Sequence, residues 1–129
     1  MAVTYGKDTK TALQAKFDAQ KIAFAPVVFQ VTKTLRDLGI LQMISDSGDE
    51  GVASETIAEK LSLSLYGVKI LLELGASVEL VYLKKDRYVL TKTGFFILHD
   101  PMTIVNLDFI QDVCYRGLFH LTDAVRKGK

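Results

Sequence analysis

The stretch SETIAEKLSLSLYGVKILLELG, from Ser54 to Gly75, has the pattern of two short helices joined by a tight turn. Ser54 can act as the N-cap of the first helix, because its side-chain oxygen can accept a free backbone N–H of ETIAEKL. Ser62 or Ser64 then begins the second helix, LYGVKILLELGASV, in which leucines and valines recur at helical spacing. The stretch therefore predicts a helix–turn–helix.

The residues that follow change from helical to strand periodicity. Two β-rich runs, LVYL and RYVL, flank the polar KKD and predict a short hairpin. Thr91 can cap a short helix, KTGFFIL, which the sequence HDP ends. A helix–turn–helix followed by a two-stranded hairpin is the element order of a winged helix.

Further helices are predicted on both sides of this unit. TKTALQAKFDAQKIAF has a helical pattern, and Pro26 opens a second helix that bends at Gly39 and continues as ILQMISDSG. Pro101 begins a last helical region with a break near Gly117. We thus predict a mainly α fold with a small β-hairpin: a winged helix–turn–helix with extra N- and C-terminal helices.

The length of 129 residues suits a single domain with its own core. Within it we distinguish a helical arm over residues 9–24, a winged-helix core over residues 26–98 and C-terminal helices over residues 101–129.

The bulk composition argues against several classes of protein. Sixteen basic and 15 acidic residues give a net charge of +1, so the net charge does not favour binding to nucleic acid or anionic lipid. No run approaches about 18 apolar residues, and the N-terminus has no signal-peptide core, which predicts a cytoplasmic protein without a membrane segment. The mean hydropathy of +0.21 hints at apolar surface that a partner could cover.

The helix–turn–helix lacks the side chains of a DNA reader. Base edges are recognised by Arg, Lys, Asn and Gln, and phosphate contacts need positive charge. Residues 52–78 instead have a net charge of −1, from Lys60, Lys69, Glu55, Glu59 and Glu73. The wing sequence KKDR is basic, although charged hairpin tips are usually ordinary solvated turns. Nucleic acid is therefore not the expected partner, and a winged-helix DNA-binding transcriptional regulator remains the alternative.

No group of residues has the spacing of an active site. A glycine-rich phosphate loop is missing, and His99 and His120 have no ligand-spaced partners, so surface or capping roles are expected and no metal site. Asp108 and Asp112 lie four apart and could act as an acid–base pair, but a solvated stripe is far commoner. Cys114, the single cysteine, is expected to be a buried and unreactive thiol.

The ordered motifs resemble the N-terminal domain of S-adenosylmethionine-dependent methyltransferases of the small-molecule O-methyltransferase type. Those domains have a helix ending in Leu-Gly-Ile, a first helix of the form T-x-x-E-[IL]-A, a second helix with paired leucines, and a wing R-Y-x-L-T-x-x-G. The matching residues here are Leu38-Gly39-Ile40, Ser54 to Leu61, Leu71-Leu72, and Arg87 to Thr91 with Gly94. The tail LTDAVRKGK resembles the helix that precedes the catalytic domain of these enzymes.

The resemblance implies a dimerisation and substrate-lid domain that is not catalytic by itself. The chain ends where the family's cofactor-binding Rossmann domain would begin, so we expect a part of a longer methyltransferase. S-adenosylmethionine is then expected as the cofactor of the full-length protein, with no catalytic or cofactor-binding residue in this chain. An adaptor surface for another protein is a third alternative.

The resemblance also implies where partners would bind. The family's N-terminal helices interlock with those of a second subunit, which implies a homodimer and makes Phe17, Phe24 and Phe29 candidate dimer contacts. The helix with Phe109, Asp112 and Tyr115 corresponds to one that lines the pocket for the small-molecule substrate. For both sets, packing inside the chain is the alternative.

Overall fold

The computed structural model describes residues 6–129. Eleven regular elements follow one another in this part of the chain: α1 Ala12–Ala23, α2 Ala25–Asp37, α3 Ile40–Asp46, α4 Ser54–Leu61, α5 Leu65–Ser77, β1 Val81–Lys84, β2 Arg87–Leu90, α6 Lys92–His99, α7 Pro101–Phe109, α8 Tyr115–Leu118 and α9 Leu121–Lys127. A 3₁₀ turn, Gly48–Glu50, precedes α4, and a π-helical turn, Ile110–Cys114, joins α7 to α8. The predicted fold class, mainly helical with a small hairpin, is confirmed.

Helices α4 and α5 form the predicted helix–turn–helix. Ser62 ends α4 with a φ of 54°, in the left-handed region. Ser64 begins α5, because its side chain accepts a hydrogen bond from the Gly67 N–H at 3.2 Å. The prediction of Ser54 as an N-cap is wrong: the extended cap residue is Ala53, so Ser54 is already helical and its hydroxyl donates to Glu55 at 3.1 Å.

The wing is an antiparallel hairpin in which Val81 pairs with Leu90 and Lys84 with Arg87. Its two-residue turn, Lys85–Asp86, has positive φ at both positions, as a type I′ turn requires. The backbone of Val52 adds a bridge to the outer edge of β2, since its N–H donates to the Tyr88 carbonyl at 3.1 Å. The loop before α4 is thereby attached to the wing.

The core lies between α2, α3, α4, α5 and the hairpin. Its largest fully buried side chains come from all of these elements: Leu35, Ile40, Leu41, Ile44, Ile57, Val68, Leu72 and Val81. Buried positions recur at intervals of three or four residues in α2 and in α5, so each set falls on one face of its helix: Val31, Thr32 and Leu35 in α2, and Val68, Leu72 and Gly75 in α5. Helices α1, α7, α8 and α9, in contrast, contain no buried residue.

Side-chain caps set the beginnings of α6 and α7. The Thr91 hydroxyl oxygen accepts the Gly94 N–H at 3.0 Å, which confirms the predicted cap, and it lies 2.6 Å from the Glu79 carbonyl oxygen. Asp100 caps α7 through the Thr103 N–H at 2.9 Å. The break predicted near Gly117 lies at Phe119 and His120, between α8 and α9. The π-helical turn had no counterpart in the sequence patterns.

Candidate functional site

Helix α1 is held by its own local bonds more than by packing. Thr11 and Gln14 form a reciprocal capping box, with hydrogen bonds of 3.0 and 3.1 Å, and Lys10 pairs with Asp18 at 2.6 Å. Its apolar side chains stay in solvent, and Phe17 is 63% exposed. A helix of this kind offers an apolar face that nothing within the described chain covers.

A cleft of ≈ 590 Å³ opens between α1, α2, the end of α5 and the α6–α7 region. Its lining is mostly apolar, with Lys21 and Glu79 as the charged members. The apolar lining comprises Phe17, Ala25, Val28, Phe29, Val78, Ile97 and Leu107. The size and lining suit an apolar small molecule or an inserted apolar side chain.

The C-terminal helices carry a second apolar face. Met102, Val105, Phe109 and Val113 recur at intervals of three and four residues and are all more than half exposed. Residues at this spacing share one side of a helix. We call these four residues the C-terminal stripe. It lies in solvent over the full length of α7 and continues into the π-helical turn.

The opposite side of the same helices is attached to α2 along a polar seam. Three hydrogen bonds form it: Arg36 Nη2 to Asp108 at 2.6 Å, Gln30 Nε2 to Gln111 at 2.8 Å, and the Tyr115 hydroxyl to the Pro26 carbonyl at 3.2 Å. As the numbers rise along the C-terminal helices they fall along α2, so the two segments run antiparallel. The seam fixes which side of the C-terminal helices faces outwards.

Charged groups at one end of the seam stabilise each other. Burial alone would lower the pKa of Arg36, but hydrogen bonds to Asp108 and Asp37 outweigh it and raise the pKa. Burial would likewise raise the pKa of Asp37, yet hydrogen bonds from Lys33 and Arg36 hold that pKa below its ordinary value. These groups are structural ion pairs, and they offer no proton for chemistry near neutral pH.

The outer face of α5 has few groups that could read DNA bases. Tyr66 is 76% exposed and Ile70 is also exposed, so the accessible face is partly apolar. Lys69 lies 3.5 Å from Glu55, so a carboxylate stands beside the basic side chain of this helix. On the wing, Lys84 donates to the Asp49 carbonyl oxygen at 3.0 Å. Helix α5 thus offers a single basic side chain, Lys69, as the sequence indicated.

The three predicted dimer contacts occupy different surroundings. Phe17 and Phe24 are more than half exposed on the arm side of the molecule. Phe29 is half-buried and stacks on Tyr115, with ring centroids 5.2 Å apart. Two of the three are therefore available to a partner, while Phe29 already has a contact within the chain.

The predicted pocket residues do not gather in one place. Phe109 and Asp112 are exposed on the outer side of the C-terminal helices, whereas Tyr115 is turned to α2. None of the three lines the ≈ 590 Å³ cleft, which Leu107 reaches instead. Asp108, whose side chain is 50% exposed, pairs with Arg36, whereas Asp112 is exposed and belongs to none of the ion pairs of the described residues.

The remaining reactive side chains have ordinary surroundings. His99 is exposed beside Phe95 at 4.6 Å between centroids, and His120 is exposed beside Phe119. Cys114 is half-buried in the π-helical turn, less buried than predicted. Residues 6–129 contain no cluster of metal-ligating side chains.

Sequence reasoning missed the seam, above all Arg36 and Gln30. Their partners are 72 and 81 residues away along the chain, and no local pattern links such positions. Within the same described residues, every helix falls short of the length and apolar character that crossing a bilayer requires.

Comparison with solved structures finds the same fold in several enzymes. The S-adenosylmethionine-dependent methyltransferase SibL in its apo form is 18% identical, with a TM-score of 0.73, covering 84% of this chain and 32% of SibL. LepI in complex with SAM is 17% identical, with a TM-score of 0.75 and coverage of 92% and 30%. Human N-acetylserotonin methyltransferase in complex with SAM is 22% identical, with a TM-score of 0.70 and coverage of 98% and 37%. The chain thus spans about a third of the length of these structures.

Comparison with curated protein sequences finds no match. A family model, in contrast, matches residues 16–88, more than half of the chain, from the middle of α1 to the wing. This range contains the whole helix–turn–helix and nearly all of the buried core. The chain therefore belongs to the Dimerisation2-like domain family.

Proposed function

We propose that this chain is the N-terminal dimerisation and substrate-lid domain of an S-adenosylmethionine-dependent methyltransferase that acts on a small molecule. Family membership and the fold shared with enzymes described as methyltransferases support this. The chain matches about a third of each such enzyme, so a separate domain would bind the cofactor. The same fold also occurs in a structure described as a pericyclic reaction enzyme, so support for methyl transfer comes from the other neighbours.

The observation that carries the proposal is the distribution of apolar side chains. All buried apolar residues of the described chain lie in the winged-helix core, residues 26–98, although the core also exposes some large side chains such as Tyr66 and Leu83. The arm, residues 9–24, and the C-terminal helices, residues 101–129, expose large apolar groups and bury none. Exposed apolar faces of this extent are typical of interaction sites. In a homodimer, two chains would cover these faces for each other and hold their catalytic domains in register.

If the domain covers the substrate, the apolar cleft between α1, α2 and the α6–α7 region is the surface that would face the substrate. An apolar or aromatic substrate suits a wall formed by Phe29, Ile97 and Leu107. The assignment of Phe109, Asp112 and Tyr115 to the pocket stays a prediction, as does that of Phe29 to the dimer interface. We further propose a cytoplasmic enzyme, in which this chain alone binds neither S-adenosylmethionine nor a metal.

Sedimentation equilibrium of the chain tests the dimer. We expect a dimer for the unchanged chain and at least about a tenfold weaker dimer for the double variant F17S/F24S, because two exposed rings lose their apolar contacts. The matched control is Y66S, which removes a similarly exposed ring from α5 and should leave the dimer unchanged. A monomeric unchanged chain would contradict the proposal.

The second candidate, a winged-helix DNA-binding regulator, has one observation in its favour. Lys84, Lys85 and Arg87 surround the tip of the wing, and basic wings can contact phosphates. Fluorescence anisotropy with duplex DNA over a range of salt concentrations separates the two functions. Binding with a steep salt dependence would favour the regulator, and no binding at low salt would favour the lid domain.

A further inference from the structure

The two hydroxyl groups that line the ≈ 590 Å³ cleft accept hydrogen bonds from a ligand but have no free hydrogen to donate. The Ser77 hydroxyl donates to the Leu74 carbonyl oxygen at 2.6 Å. The Thr32 hydroxyl donates in the same way to the Val28 carbonyl oxygen at 2.7 Å. A hydroxyl has a single hydrogen, so only its lone pairs remain for a ligand. The uncharged polar groups of the cleft therefore favour a ligand that donates hydrogen bonds.

Glu79, at the end of α5, adds a carboxylate to the same cleft in a backbone conformation that glutamate disfavours. Its φ is 63°, in the left-handed region that residues other than glycine seldom adopt. Its N–H donates to the Ala76 carbonyl oxygen at 3.1 Å, and the Leu80 N–H donates to the Gly75 carbonyl oxygen at 2.9 Å. These two bonds close the end of the helix, where glycine is the usual residue. The fold alone would favour glycine at this position.

The charge of Glu79 is also unfavourable for the helix that it follows. The C-terminal end of a helix is the negative end of its dipole and repels an acidic side chain. Within residues 6–129, Glu79 belongs to none of the ion pairs that could offset this repulsion. Lys21, the other charged residue of the cleft, lies on α1 with its ammonium 5.0 Å from the centroid of the Phe17 ring. The end of the cleft at α5 is thus electronegative.

We propose that the cleft binds an aromatic molecule that carries a protonated amine. The ring would lie against the apolar wall of Phe29, Ile97 and Leu107, and the ammonium group would lie at Glu79. The cleft volume is within the usual range of small-molecule sites. A carboxylate beside acceptor groups binds a charged N–H donor more strongly than a neutral donor, and it disfavours an anion.

This inference deepens the proposed lid role, because it names the chemical class of the substrate. It rests on that role only for the identification of the ligand as a substrate. Binding to the cleft itself can be measured on the chain described here, without a catalytic domain.

Three naphthalene probes, substituted at the same ring position, test the preference for an amine. Naphthylmethylamine is a cation at neutral pH, naphthylmethanol is neutral, and naphthylacetate is an anion. The chain contains no tryptophan, so the anisotropy of the naphthalene emission can be followed directly as the chain is added. We expect the amine to bind at least about tenfold more tightly than the acetate, with the alcohol between them.

Two variants locate the binding and a third is the control. Glu79→Gln removes the charge and should weaken binding of the amine at least about fivefold, with little change for the alcohol. Ala25→Leu adds volume inside the cleft and should weaken binding of all three probes. Glu73→Gln removes an exposed carboxylate from the same helix outside the cleft, and it should leave all three affinities unchanged. Circular dichroism of each variant checks that it is folded.

Glu79→Gly gives a second readout, in which stability and binding change in opposite directions. Glycine suits the left-handed conformation and removes the acidic group from the helix end, so we expect a higher Tm. The same variant should lose the preference for the amine over the alcohol. A lower Tm would show that the fold itself needs the glutamate, and it would overturn the assignment of this residue to a ligand.

The remaining outcomes separate this inference from the proposed function. A preference for the amine that both Glu79→Gln and Ala25→Leu remove supports the inference. It is overturned by an absence of binding with the chain at about 1 mM, by tighter binding of the acetate, or by an amine affinity that Glu79→Gln leaves unchanged. Each of these results leaves the proposed homodimer standing, because sedimentation equilibrium measures the dimer without a probe. A monomeric chain that still prefers the amine would contradict the dimerisation role alone.

Discussion

The winged-helix core and the helices at its two ends differ in where their apolar side chains lie. Leu35, Ile57 and Leu72 of the core are completely buried, whereas Leu13, Phe17 and the C-terminal stripe are mostly exposed. Both regions have the apolar spacing of amphipathic helices. The comparison teaches that the same pattern has two outcomes: in the core the apolar face is buried within the chain, and at the ends it stays exposed, as faces that bind a partner commonly do.

The largest effect should come from shortening a core leucine. Leu35→Ala removes a fully buried side chain from the centre of α2, and we expect a loss of about 3–5 kcal/mol in the free energy of unfolding. Leu13→Ala in α1, where the leucine is 79% exposed, should change it by less than about 0.5 kcal/mol. Urea unfolding at a concentration where the chain is monomeric measures both. Equal losses would show that the arm is part of the core.

Replacing a glycine by alanine adds a methyl group, and two such variants compare the core with the C-terminal helices. A Cβ at Gly94 would lie 2.4 Å from the Leu80 carbonyl oxygen, and backbone cannot easily yield, so we expect Gly94→Ala to cost about 2–3 kcal/mol. Gly117→Ala meets no atom and should stabilise the monomer by about 0.5–1 kcal/mol through helix propensity. Thermal unfolding of the two variants gives the sign of each change. A destabilised Gly117→Ala monomer would mean that α8 has neighbours within the chain.

Much of the core could be predicted from sequence because its signals are local. The cap at Thr91, the hairpin around Lys85 and the first turn of α2, which contains Pro26, each depend on residues within a few positions. Ser54 shows the limit of such signals, since the residue before it already has the extended backbone of a cap. N-cap propensity favours serine over alanine, yet the backbone makes Ala53 the cap residue here.

The candidate site was less predictable because it depends on contacts distant in sequence. The stacking of Phe29 on Tyr115 joins residues of α2 and α8 that are distant in sequence. The π-helical turn between α7 and α8 also departs from the regular helical period, and no local sequence pattern indicated it. Local residue spacing likewise does not indicate which exposed face would contact a partner.

Removal of the threonine cap of α6 should lower the free energy of unfolding more than removal of the threonine cap of α1, as for the two leucines. Thr91→Ala removes the acceptor for the Gly94 N–H and the contact with the Glu79 carbonyl, and we expect a loss of about 1–2 kcal/mol. Thr11→Ala removes an equivalent cap from α1, but this helix can fray without opening the core, so the global free energy should hardly change. Hydrogen exchange of the Gln14 amide would report the local loss. Thr91→Ser keeps the hydroxyl and serves as the control.

The smallest expected effect concerns pH and tests the ion pairs that Asp37 forms within α2, beside one end of the seam. Hydrogen bonds from Lys33 at 2.7 Å and Arg36 at 2.9 Å outweigh burial and hold the pKa of Asp37 below its ordinary 3.8. A lowered folded-state pKa means that the ionised carboxylate stabilises the fold above pH 3.8, and that this stabilisation is lost as the pH falls through the folded-state value.

Asp37→Asn should therefore lower Tm slightly at pH 7, by less than the Thr91→Ala change, and the difference from the unchanged chain should shrink below pH 3.8. Melting curves between pH 7 and pH 3 measure this, with Asp123→Asn, an exposed aspartate of α9 outside the ion pairs, as the control for loss of charge alone. A constant difference at every pH would mean that Asp37 acts through helix packing and not through its charge. Because Lys33, Arg36 and Asp37 belong to the same helix as the buried Leu35, a pH-dependent difference would place these ion pairs within the cooperative unit of the core.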